Sequence, residues 1–92
     1  MKVKNINGTS DNLCKCGSWL NHWEKFSGRT TIFCSEKGCT RTDIVGAHVQ
    51  KATTDTKWYI IPLCKAHNTA TGELEIFEGT VFVSANKSET CG

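Results

Sequence analysis

Six cysteines and three histidines in 92 residues set the chemistry to be explained. Cys34 and Cys39 bracket four residues, Cys64 and His67 bracket two, Cys14 and Cys16 bracket one, and Cys91 stands alone. Zinc takes four soft or borderline ligands in a tetrahedron, commonly as two close pairs from separate local elements. Cys34 and Cys39 on a loop, with Cys64 and His67 in the first turn of a helix, meet that need. Zn2+ is the implied ion, and an ordinary surface role for His67 is the blander alternative. A disulfide frame is the other reading of an even cysteine count, but it requires an oxidising compartment. The opening residues, MKVKNINGTSDN, hold no apolar signal-peptide core, so reduced thiols and a cytoplasmic location are expected.

Three thiols remain after one such site. Cys14, Cys16 and Cys91 would clamp a second zinc, with His22 as the fourth ligand or, less readily, His48. The alternatives are free thiols, or a single site in which Cys14 and Cys16 replace Cys34 and Cys39 beside Cys64 and His67. One zinc or two stays open at this level.

The chain that must position these ligands has room for one small domain, 1–92. Only 38 % of it is hydrophobic, and a chain of this size buries roughly 60–65 % of its unfolded surface. A structural zinc contributes an apparent binding energy of about 10–16 kcal/mol to folding. The net stability of a typical domain is about 5–15 kcal/mol, so metal is an effective substitute for a larger core. No apolar run approaches the ~20 residues of a membrane span. Three Trp, four Phe and a single Pro argue against extended disorder.

The elements follow from local pattern. Residues 2–6 alternate weakly and predict an edge strand that ends at the Asn7-Gly8 turn signal. Ser18 is a good N-cap, and Trp19, Leu20, Trp23 and Phe26 follow at helical spacing up to Gly28. Those aromatics predict a core-facing stripe, with a base-stacking platform as the sharper alternative. Residues 29–33 predict a strand that delivers Cys34, and 44–49 a second, where Gly46 marks a bulge or a close backbone approach. A polar turn over 53–56 leads to a third strand, 57–61, ended by Pro62. A short helix spans 64–70, and 74–77 with 80–84 predict a hairpin around Glu78-Gly79.

Charge is less specific. The net charge is +2 and the pI about 8.2, but residues 1–65 carry a surplus of five positive charges and 66–92 a deficit of three. Arg29, Lys37, Arg41, Lys51 and Lys57 are the candidate contacts to a nucleic-acid phosphate backbone. A solvated mixed surface is the plainer reading of the same residues.

CSEKGCTRTDIVGAHV, a short turn, and then IIPLCKAHNTATG resemble the zinc-stapled HNH endonucleases, the ββα-metal nucleases of phages and bacterial defence. The likeness covers 34–72, under half the chain. It implies an α+β, treble-clef fold of short helices and β-hairpins, with 1–33 and 73–92 as closing elements. It implies that Cys34, Cys39, Cys64 and His67 hold the structural zinc, and that His48 takes the place of the general base. The departures concern the second, catalytic cation. Ala47 stands where many members carry an acidic ligand, Tyr59 near the place of the central Asn, and Asn68 where a final His would bind. Mg2+ needs carboxylates or equivalent oxygens, and only Asn68 remains, with Asp43 or Asp55 as substitutes.

A metal-stapled module that binds nucleic acid or a protein, with its active site degenerate, is therefore expected. The alternatives are a metal-dependent endonuclease using His48 and Asn68, and a protein adaptor using the Trp19/Trp23 face. Elemental analysis should find at least one zinc per chain. Cys91→Ala should remove one zinc per chain if the second site exists, and unchanged stoichiometry would show a single site.

Overall fold

The computed structural model describes residues 1–6, 18–52 and 57–85. Five strands make one antiparallel sheet: β1 (Lys2–Asn5), β2 (Ile44–Lys51), β3 (Tyr59–Cys64), β4 (Glu73–Glu75) and β5 (Val83–Ser84). Their order across the sheet is β4-β1-β2-β3-β5. Two helices complete it, α1 (Trp19–Ser27) and α2 (Lys65–Asn68). β2 and β3 form the central hairpin, in register from Ile44 opposite Cys64 to Val49 opposite Tyr59.

Strand alternation gives the sheet two different faces. Ala47, Val49, Ile61 and Leu63 point to one side and join Val3 and Ile76 in the larger core cluster, which also takes in Cys34 and Cys64. Gly46, His48 and Ile60 point to the other, where α1 packs through Trp23 with Trp19 and Leu20 beside it. Each fully buried Ile or Leu contributes about 1.5–3 kcal/mol, and Ile60, Ile61 and Leu63 are all sealed.

The helix is built as its residues dictate. The Ser18 hydroxyl accepts from the Asn21 amide at 3.1 Å, and Gly28 closes the C-terminus with its N–H on the Glu24 carbonyl. Gly46 explains why the helix can lie so close. A Cβ there would come within 2.3 Å of the Trp19 backbone carbon, so the glycine marks a close approach and not a bulge.

Several expectations need correction. β1 is no edge strand, because β4 pairs along its outer side, Val3 opposite Leu74. Residues 29–33 form no strand: no described neighbour pairs with them, and the Thr31 hydroxyl bonds locally to Phe33. Pro62 does not end β3. It sits opposite Gly46 with its carbonyl turned away from β2 to the Ser35 amide. Its missing N–H lies on that same outer side, beyond the end of β5, and costs no ladder bond. The turn at Glu78-Gly79 forms, with Thr80 N–H on the Phe77 carbonyl, but it joins no hairpin. β4 and β5 lie on opposite edges of the sheet. The Trp19/Trp23 stripe faces the sheet, with Trp23 only 3 % exposed and Trp19 half-buried. The expected turns at Asn7-Gly8 and over 53–56 lie outside the described residues. Among the described residues, no helix is long and apolar enough to cross a membrane.

Gly46→Ala should lower stability by about 1–3 kcal/mol or more, because backbone and not a movable side-chain tip stands in the way. Thermal melts should show the loss, and near-ultraviolet circular dichroism should report the displaced Trp19.

Candidate metal centre

The site assembles where three elements meet. The loop carrying Cys34 and Cys39 is stitched on all sides. Ser35 N–H reaches the Pro62 carbonyl, the Ser35 carbonyl accepts from Phe77, and Lys37 N–H reaches the Glu75 carbonyl. Gly38, at φ +78°, makes the tight return that brings Cys39 back, with the Cys39 amide on the Glu36 carbonyl. β3 ends on Cys64, which is also the N-cap of α2: its sulfur accepts from the His67 amide at 3.5 Å. His67 then lies one turn on, over the same sulfur.

The ligand atoms of Cys34, Cys39, Cys64 and His67 all lie within 4.8 Å of one another. His67 Nδ1 is 3.4 Å from Cys34 Sγ and 3.2 Å from Cys64 Sγ. Zn–S bonds of about 2.3 Å and Zn–N bonds of about 2.0–2.1 Å in a tetrahedron place the ligands about 3.5–3.8 Å apart. The four side chains therefore fit a zinc ion, and the three cysteines are free thiols, not disulfides. Among the described residues this is the only group of three or more His, Cys, Asp or Glu so gathered.

The sequence reading missed Glu36. Its carboxylate Oε2 lies 3.2 Å from His67 Nε2, on the far side of the ring from the sulfurs. A carboxylate there accepts the Nε2 proton and leaves the Nδ1 lone pair to the metal. The signal was present as an acid enclosed between two paired cysteines. Asn5 of β1 adds a second support, donating to the His67 and Ala70 carbonyls at 2.6 and 3.0 Å.

Protonation differs among the thiols. Burial pushes Cys34 up to about 11, only partly offset by backbone hydrogen bonds from Cys64 and Glu36. At Cys64 burial again opposes ionisation. There the amides of His67 and Ala66, with the neighbouring Cys34 and Cys39, outweigh it and hold the thiol below its ordinary value. Cys64 thus ionises more readily than Cys34.

The other candidates do not gather here. His48 is 7 % exposed, on the α1 side of the sheet, in edge contact with Trp19 at 4.4 Å and facing Trp58 at 6.4 Å. Ala47 is sealed in the opposite cluster. Asn68 ends α2, and Tyr59 packs edge-on to Phe82. Asp43 is held by Arg41 through two hydrogen bonds of 3.0 and 2.8 Å, which lower its pKa. His22 is fully buried, its Nε2 2.8 Å from the Ser84 carbonyl and its ring between Trp19 and Phe26. Cys14, Cys16, Cys91 and Asp55 lie outside the described residues. Of the candidate phosphate contacts, Arg41 is paired with Asp43 and Lys37 lies 3.9 Å from Glu78. Lys51 covers the Tyr59 and Phe82 rings, while Arg29 and Lys57 are exposed.

No protein-family model matches the chain, and neither a curated protein nor a solved structure is similar enough to count as a match.

Glu36→Gln should weaken zinc binding about 10–100-fold while leaving the fold formed at saturating metal, measured by chelator competition. Binding releases protons from the thiols, so affinity should fall by more than about tenfold per pH unit on acidification from pH 7. Cys64→Ala should abolish metal-dependent folding, since it removes a ligand and the cap of α2 together.

Proposed function

We propose that the chain is a zinc-stapled module of HNH-like, treble-clef type that binds a protein partner and does not cut phosphodiesters. The observation that carries this reading is the gathering of Cys34, Cys39, Cys64 and His67 where a knuckle, the β2–β3 hairpin and the first turn of α2 meet. Knuckle, hairpin and helix come in the chain order that the resemblance implies.

Three features support the loss of catalysis. Ala47 offers no oxygen to a second cation and is 0 % exposed. His48, the only base in the expected place, lies beneath Trp19, whereas a general base must reach its water within about 3 Å. Asp43, the described carboxylate that could replace the missing ligand, is committed to Arg41. Little is left to carry the charge of a phosphoryl transition state.

A protein suits the surface better than a nucleic acid does. Phosphate binding draws on cations that release counterions from the backbone, and here Arg41, Lys37 and Lys51 are already engaged.

Added Mg2+ or Mn2+ should produce no plasmid nicking above background, and His48→Ala should change nothing. Robust metal-dependent nicking abolished by His48→Ala would overturn the reading in favour of a working nuclease. Anisotropy with labelled duplex DNA should show no binding at low salt.

A further inference from the structure

A partner-binding role requires a place for the partner, and the exposed apolar side chains mark one. Ile32, Phe33 and Phe77 are 68, 47 and 61 % exposed, a display that in a small chain points to an interaction site. Phe33 and Phe77 line a groove of about 410 Å³ beside the metal knuckle, together with Trp23, Pro62, Val81 and Arg29. Specific binding sites occupy about 300–1,000 Å³, so the volume suits one or two side chains of a partner.

The groove follows from the topology. β5 pairs with β3 only at Tyr59 and Ile60, so among the described residues no strand flanks Pro62 on that side, and the knuckle loop takes the Pro62 carbonyl through Ser35 instead. Its walls are held in place. Trp23 Nε1 donates to the Val81 carbonyl at 2.7 Å, and Ser35 ties the knuckle to both Pro62 and Phe77. The Phe77 ring lies over Gly79, where a Cβ would come within 2.6 Å of it. A groove that is already shaped spends little ordering entropy when it is filled.

Charge selects the occupant. Glu36 is engaged by His67 and Lys37 lies near Glu78, while no described carboxylate pairs with Arg29. We propose that this groove receives a short segment of a partner protein, with an aromatic or large aliphatic anchor between Phe33 and Phe77 and a neighbouring carboxylate on Arg29. This deepens the protein-binding reading and rests on it.

The full chain in zinc should be panned against a random phage-displayed peptide library, and enriched peptides measured by fluorescence anisotropy. Peptides pairing Phe, Trp or Leu with a nearby Asp or Glu should dominate. Phe77→Ala should weaken them about tenfold or more, as loss of an anchor contact does. Arg29→Glu should weaken them too, and exchanging the peptide's acid for Lys should restore binding to that variant. Both side chains are exposed, so zinc content and melting temperature should not move. A groove that fails this test therefore leaves the metal reading standing, whereas a chain that binds no zinc would fail the earlier one. No enrichment over a blank support, or equal binding by both variants, would overturn the proposal. So would tighter, Phe77-dependent binding of a short oligothymidylate, or a concentration-dependent dimer that Phe77→Ala abolishes.

Discussion

Four ligand atoms within 4.8 Å of one another bring together three separate parts of the chain. Cys34 and Cys39 come from a loop without regular structure, Cys64 from the end of a central strand, and His67 from a helix of four residues. A helix that short has almost no stability of its own, because nucleation fixes several residues for one hydrogen bond. Here α2 starts from the sulfur of Cys64 and ends under Asn5. A cation held by the four ligands would bind loop, strand and helix in one step. Three of those ligands are thiols, so its hold would depend on their protonation, and hydrogen bonds that outweigh burial at Cys64 but not at Cys34 set the two apart in that respect.

The sheet divides the molecule between this centre and a packing face. On one side, Ala47, Val49, Ile61 and Leu63 build the core that supports the ligands. On the other, the absence of a side chain at Gly46 lets α1 settle directly on the hairpin. That contact decides the surroundings of two histidines. His48 lies against Trp19, and His22 is locked to Ser84 beside the same ring. Both are polar groups in buried surroundings, His48 in contact with aromatic rings and His22 with a ring nitrogen on the Ser84 carbonyl as well.

The short reach of β5 has an effect of its own. Because pairing stops at Ile60, Pro62 can stand inside β3 without losing a bond, and the space beside it becomes a groove walled by exposed phenylalanines. The metal knuckle forms one wall of that groove, so whatever rigidifies the knuckle also shapes the surface beside it.

Local pattern alone determined the parts of this protein whose causes are local. The cap at Ser18 and the stop at Gly28 bound α1 as read, and each ligand pair is set by a turn or a helix start of its own. Position across the sheet was decided only by the tertiary structure. Residues 73–84 hold two strand-forming runs around a genuine turn, yet β4 pairs with β1 and β5 with β3, since partners distant in sequence offered the open edges. Residues 29–33 have strand-forming side chains but meet no edge among the described strands, and they are irregular. Glu36 becomes part of the centre, and Trp23 part of the core, through contacts with residues far along the chain. A residue's type and its near neighbours set its local geometry, but which edge, face or side chain it meets depends on contacts between distant segments, formed only when the whole sheet closes.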